Sequence, residues 1–174
     1  QARPVHALFR LQQYFEQTPS QSYPHYLIIM DDDTIYDMEK FVTHFSADQF
    51  SAEATAVAGC RIKIARLLTF PYGGFGLILS RGALAELLRP VDCSSGGNQH
   101  HQRPALCQRL AQNRIGEFAV FENRTISLVQ GMNDYAAQSP FREYANWTTG
   151  YCLHSDWATG YLVHMLVNST GRGS

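Results

Sequence analysis

Residues 26–41 read YLIIMDDDTIYDMEKF. Tyr26 to Met30 is a short apolar run with no polar alternation, which predicts a strand buried on both faces, as inside a parallel or mixed α/β sheet. Three carboxylates, Asp31, Asp32 and Asp33, follow at once. Adjacent carboxylates repel one another and each resists burial, and a bound cation relieves both problems. In open α/β sheets, ligands gather beyond the carboxyl ends of the strands. Hard divalent ions such as Mn2+ or Mg2+ are held there by one or two carboxylates together with substrate phosphates. Alternate residues of an extended segment face the same way, so Asp31 and Asp33 can address one site. The competing reading is a solvated acidic turn, or carboxylates complementing a helix dipole. A helix is expected next, over 36–45, with Met38, Phe41, Val42 and Phe45 on one face.

Upstream, Val5, Leu8, Phe9, Leu11, Tyr14 and Phe15 recur at helical spacing over 4–17, and Pro4 suits a first turn. Pro19, Ser20, Ser22 and Pro24 mark a loop. Downstream, 54–64 alternates loosely and predicts one strand. Residues 71–76, PYGGFG, form a glycine-rich turn, and Leu77–Leu79 predicts a second buried strand. Ser80 is a good N-cap for a helix over 81–89, which Pro90 stops. Residues 93–103 read as an exposed polar loop that includes His100 and His101. Helices are expected over 104–113 and 126–138, an extended segment over 147–153, and a last helix capped by Ser155 and running to Val167.

The 174 residues suffice for one domain with a real core. With 45% hydrophobic and 17% charged residues, the composition is that of a globular protein. A net charge of −1 gives nucleic acid or an anionic membrane no electrostatic hold. No apolar run approaches the ~18 residues of a membrane span. The chain opens QARPVHALF and reads as an excised segment. Cys60, Cys93, Cys107 and Cys152 form no CxxC pair, which argues against structural zinc. Their even number fits two disulfides of open connectivity, the alternative being buried free thiols. Sequons begin at Asn123, Asn146 and Asn168; together with paired cysteines they favour a lumenal or extracellular protein.

The segment YLIIMDDDTIYDMEKF resembles the strand, DxD motif and helix of Fringe and the core-1 β-1,3-galactosyltransferases. Residues 71–88, PYGGFGLILSRGALAELL, are similar to the same family's glycine-rich turn, strand, serine-arginine pair and helix. The two motifs stand in the family's order. The resemblance implies α/β architecture of the GT-A type, a Rossmann-like mixed sheet flanked by helices. It covers 24–92 well and 150–167 in outline, leaving 93–149 as an insertion. The first nucleotide-binding strands of that fold would lie outside this chain. It further implies an inverting, metal-dependent glycosyltransferase that moves a hexose or N-acetylhexosamine from a UDP-sugar to a glycan or glycoprotein hydroxyl, in a β-1,3 linkage. By resemblance Asp33 is the Mn2+ (or Mg2+) ligand, and Asp31 or Asp32 helps to hold the donor. Gly73 and Gly74 let the backbone approach it closely, though an ordinary turn accounts for them equally. The parent protein would be a type II membrane protein of the Golgi or endoplasmic reticulum lumen.

An inverting transfer also needs a base on the face opposite the leaving diphosphate, and a carboxylate is the usual choice. The family carries an acidic pair opening a helix, then a glycine and an aromatic-aliphatic stretch. Residues 154–166, HSDWATGYLVHML, are similar, which makes Asp156 the candidate base, with Ser155 where the family has another acid. Glu117 and Asp134, inside the unmatched stretch, compete for the role. His154 could orient substrate, and Trp147, Tyr151 and Trp157 could stack on sugar or fill core. Arg61 and Lys63 could reach donor phosphates or simply line a solvated strand face. Two other functions fit parts of the pattern: a catalytically inactive glycan-binding relative, and a different Mg2+- or Mn2+-dependent phosphoryl or nucleotidyl enzyme.

Overall fold

A computed structural model describes residues 3–30, 35, 37–44, 50–59, 61–64, 68–71, 76–94, 107, 123–138, 159 and 162–163. The described elements are mixed α and β. In chain order they are α1 (Arg3–Gln17), β1 (Tyr26–Ile29), α2 (Met38–His44), β2 (Val57–Gly59), β3 (Arg61–Ile64) and β4 (Leu68–Pro71). They continue with β5 (Leu77–Ser80), α3 (Arg81–Leu88), β6 (Val91–Asp92), β7 (Thr125–Ile126) and α4 (Leu128–Gln138). No described helix is long and apolar enough to cross a membrane.

The central sheet has the order β1-β5-β2, with β5 antiparallel to both neighbours. The other described sheets are two-stranded and antiparallel, β3-β4 and β6-β7. All strand pairs among the described residues are therefore antiparallel, whereas a mixed sheet was expected. Directly opposed residues share a face. The register puts Leu27, Ile29, Val57, Leu77 and Leu79 on one side, and Ile28, Ala58 and Ile78 on the other.

The first side faces the core. Leu77 and Leu79 are fully buried there with Val5 and Leu8 of α1 and Ala83, Leu84, Leu87 and Leu88 of α3. Leu128, Val129 and Met132 of α4 join them, as do Leu162 and Val163. The expectation for Leu77–Leu79 holds: β5 is buried along its whole length. The expectation for Tyr26–Met30 does not. All four residues of β1 are only half-buried, and Met30 is 52% exposed. The reason is position. Among the described residues β1 is an outer strand, and an apolar run alone cannot tell an outer strand from the central one.

The single strand expected over 54–64 is instead two strands in different sheets, β2 and β3, and β3 turns back on β4 as a hairpin that the sequence pattern did not reveal. The helices fare better. Arg3–Gln17, Arg81–Leu88 and Leu128–Gln138 follow the expected spans closely, and Met38–His44 falls within 36–45. Thr159, Leu162 and Val163 are helical and buried, within the last expected helix. In α1, however, Gln12 is buried while Tyr14 is 49% exposed. Gln12 owes its burial to α4: its Oε1 accepts from the Ser127 hydroxyl at 2.6 Å, and its amide donates to Glu16 at 2.7 Å. The same Ser127 oxygen accepts from the Gln130 backbone N–H and so caps α4.

Cys93 and Cys107 form a disulfide. Both are buried, so the expected exposed loop starts from an anchored residue. A crosslink closing 14 residues restricts the unfolded chain by about 3 kcal/mol. Cys60 and Cys152 lie outside the described residues.

Candidate functional site at one end of the central sheet

The site is built by strand register. Ile29, the last residue of β1, lies opposite Leu77, the first residue of β5. Gly59, the last residue of β2, lies opposite Leu77 on the other side. Three chain segments therefore meet this end of the sheet: the exit of β1 toward Asp31–Asp33, the entry to β5 from PYGGFG, and the exit of β2 toward Arg61. The two motifs that stand apart in sequence are joined to the same strand ends. Gly76 closes the glycine-rich turn with φ 89°, a left-handed conformation that side-chain-bearing residues rarely adopt, and it is buried.

Exposed apolar side chains occur on both sides of the triplet along the chain, together with the exposed charges of Asp37, Glu39 and Lys40. Of the four large hydrophobic residues exposed among the described ones, three, Met30, Ile35 and Met38, bracket the aspartate triplet in sequence. Ile35 is 96% exposed. Asp37 serves the helix that follows. It accepts from the Lys40 backbone N–H and pairs with the Lys40 ammonium, both at 3.0 Å, and so caps α2. These contacts, the backbone one first, hold its carboxyl below the ordinary range.

The opposite end of the sheet is a clamp. Ser80 Oγ accepts from the N–H of Ala83, which caps α3, and from the N–H of Ala56, and donates to the Ala54 carbonyl. The Arg81 guanidinium donates to the Tyr23 carbonyl and pairs with Glu53 at 2.9 Å, while the Arg81 N–H reaches the His25 carbonyl. The Gly82 N–H bonds the Ala52 carbonyl. Ser80, Arg81 and Gly82 thus tie the lead-ins of β1 and β2 to the start of α3. The serine-arginine end of this motif, at the β5–α3 junction, therefore has a structural role.

Asp31, Asp32, Asp33, Gly73, Gly74, Glu117, Trp147, Tyr151, His154, Asp156 and Trp157 lie outside the described residues, as do His100 and His101. Arg61 and Lys63 are placed on β3 by their backbone alone. Asp134, the remaining competitor for the base, sits on α4 and is paired with Arg124 at 2.8 Å. Among the described residues no group of three or more His, Cys, Asp or Glu side chains is placed to hold a metal ion. The β6-β7 pair was not legible in the sequence either. The Thr125-Ile126 dipeptide, which overlaps the sequon at Asn123, is too short to show any periodicity. Comparison with protein families, with curated proteins and with solved structures returns no match to this chain.

Proposed function

We propose that the chain is part of the catalytic domain of an inverting, metal-dependent glycosyltransferase of the GT-A type, similar to the Fringe-like family. The observation that carries this reading is the pairing of Ile29 with Leu77, which joins the aspartate triplet and the glycine-rich turn to one end of one sheet. An acidic motif leaving a strand beside a glycine-rich approach is what a nucleotide-sugar diphosphate requires: hard oxygen ligands for a divalent ion, and backbone that lets the donor come close.

In this reading Asp33 would hold Mn2+ or Mg2+, and Asp31 and Asp32 would orient the donor with Gly73 and Gly74. The bound ion would neutralise charge on the leaving diphosphate. Asp156 would take the proton of the acceptor hydroxyl. Three residues after it, Thr159 is buried, and Leu162 and Val163 belong to the same core as β5. The acceptor would be a glycan or glycoprotein hydroxyl and the donor a UDP-sugar. The compartment would be the Golgi or endoplasmic reticulum lumen, which accords with a disulfide between Cys93 and Cys107.

The test is calorimetric titration of UDP into the full-length protein with and without Mn2+. Binding is expected only with the ion, and Asp33→Asn is expected to abolish it while leaving thermal unfolding unchanged. Equal affinity for UDP in wild type and Asp33→Asn would overturn the assignment.

A further inference from the structure

We propose that Asn123 carries an N-linked glycan. The inference goes beyond the transferase reading and shares only its compartment. Asn123-Arg-Thr125 is a sequon with arginine, not proline, in the middle. Asn123 is exposed in the turn that leads into β7.

The β6-β7 pair is two-sided. Asp92, Ser94, Asn123 and Thr125 are exposed, while Cys93, Cys107 and Ile126 are buried. A glycan on Asn123 therefore leaves from a polar surface and displaces no core. The backbone of Asn123 is left-handed, φ 57°, which asparagine tolerates better than other side-chain-bearing residues. That turn preference by itself would account for asparagine here, but it does not ask for threonine two residues on.

The second observation is the disulfide. The Cys93 backbone N–H bonds to the Arg124 carbonyl at 2.9 Å, so the middle residue of the sequon is hydrogen-bonded to a bridged cysteine. Disulfides persist where the chain folds in an oxidising compartment, and sequon glycosylation belongs to the same route. In the folded chain the Thr125 hydroxyl donates to Asp92 Oδ1 at 3.1 Å. In the reaction the Asn123 amide nitrogen attacks the anomeric carbon of a lipid-diphosphate-linked oligosaccharide. An N–C bond forms, the anomeric C–O bond to phosphate breaks, the amide gives up one proton, and the lipid diphosphate leaves.

The full-length protein from its native source would be digested and treated with peptide N-glycosidase in heavy-oxygen water. Cleavage before aspartate releases residues 92–133, which hold Cys93, Cys107 and Asn123 together; this fragment is expected to carry aspartate with one heavy oxygen at position 123 and, in a parallel non-reduced digest, an internal Cys93–Cys107 bridge. Asn123→Gly, which suits the left-handed turn, is expected to lose one glycan step in gel mobility and keep the disulfide. Unmodified Asn123 in molecules bridged at Cys93–Cys107 would overturn the proposal.

Discussion

A methyl group built on Gly82 would collide with the Glu53 carbonyl oxygen and stand 2.6 Å from that of Ala54. Both contacts are backbone, so no side chain can swing away; either the start of α3 or the 52–56 segment must shift. Glycine in a helix ordinarily costs about 1 kcal/mol against alanine, and here the close approach reverses that preference. Gly82→Ala is expected to destabilise the fold by about 1–3 kcal/mol, as overpacking does, read as a lower denaturant midpoint at unchanged slope. An unchanged or higher midpoint would show that the clamp yields freely. Ser80 was legible as an N-cap because capping is local chemistry. Its bonds to Ala54 and Ala56, and the need for Gly82, were not, since they depend on a segment some distance away in the chain coming alongside.

Helices α1, α3 and α4 could be read from the sequence because each displays a periodic apolar face over two or more turns. Strands β6 and β7 are two residues each and display none. Their link runs through Asp92, whose Oδ1 accepts from the hydroxyl and backbone N–H of Ser94 and from the Thr125 hydroxyl. Those donors, the Ser94 hydroxyl foremost, hold its carboxyl below the ordinary range. A carboxyl that is more acidic folded than unfolded stabilises the fold above the ordinary carboxylate range, and the contribution is lost as pH falls through the folded value. Unfolding midpoints measured at about pH 5 and about pH 3 should therefore fall with acidity, and fall less in Asp92→Asn. Equal acid sensitivity in both proteins would place the dependence on other carboxylates.

At the scale of the whole molecule, the proposed chemistry divides between two carboxylates from distant parts of the chain. Asp156→Asn removes a basic oxygen but keeps size. If Asp156 takes the acceptor proton, kcat should fall at least ~10²-fold with donor affinity unchanged, whereas Asp33→Asn should damage donor binding itself. Glu117→Gln is the matched comparison. Loss of turnover in Glu117→Gln with Asp156→Asn spared would move the base into 93–149. Asp134, the competitor that the structure does place, is ion-paired with Arg124. The local motifs were set by the sequence alone: the aspartate triplet behind an apolar run, the glycine-rich turn, the Ser80 cap and the apolar faces of the helices. These depend on neighbours a few residues away, so spacing and side-chain type reveal them. Which strand is central, that 54–64 divides between two sheets, and which cysteines pair were decided by the tertiary structure. So was the meeting of Ile29 with Leu77 at one end of the sheet. Strand pairing is a long-range contact, and an apolar run such as Tyr26–Met30 is compatible with either an outer or a central place until its partner is known.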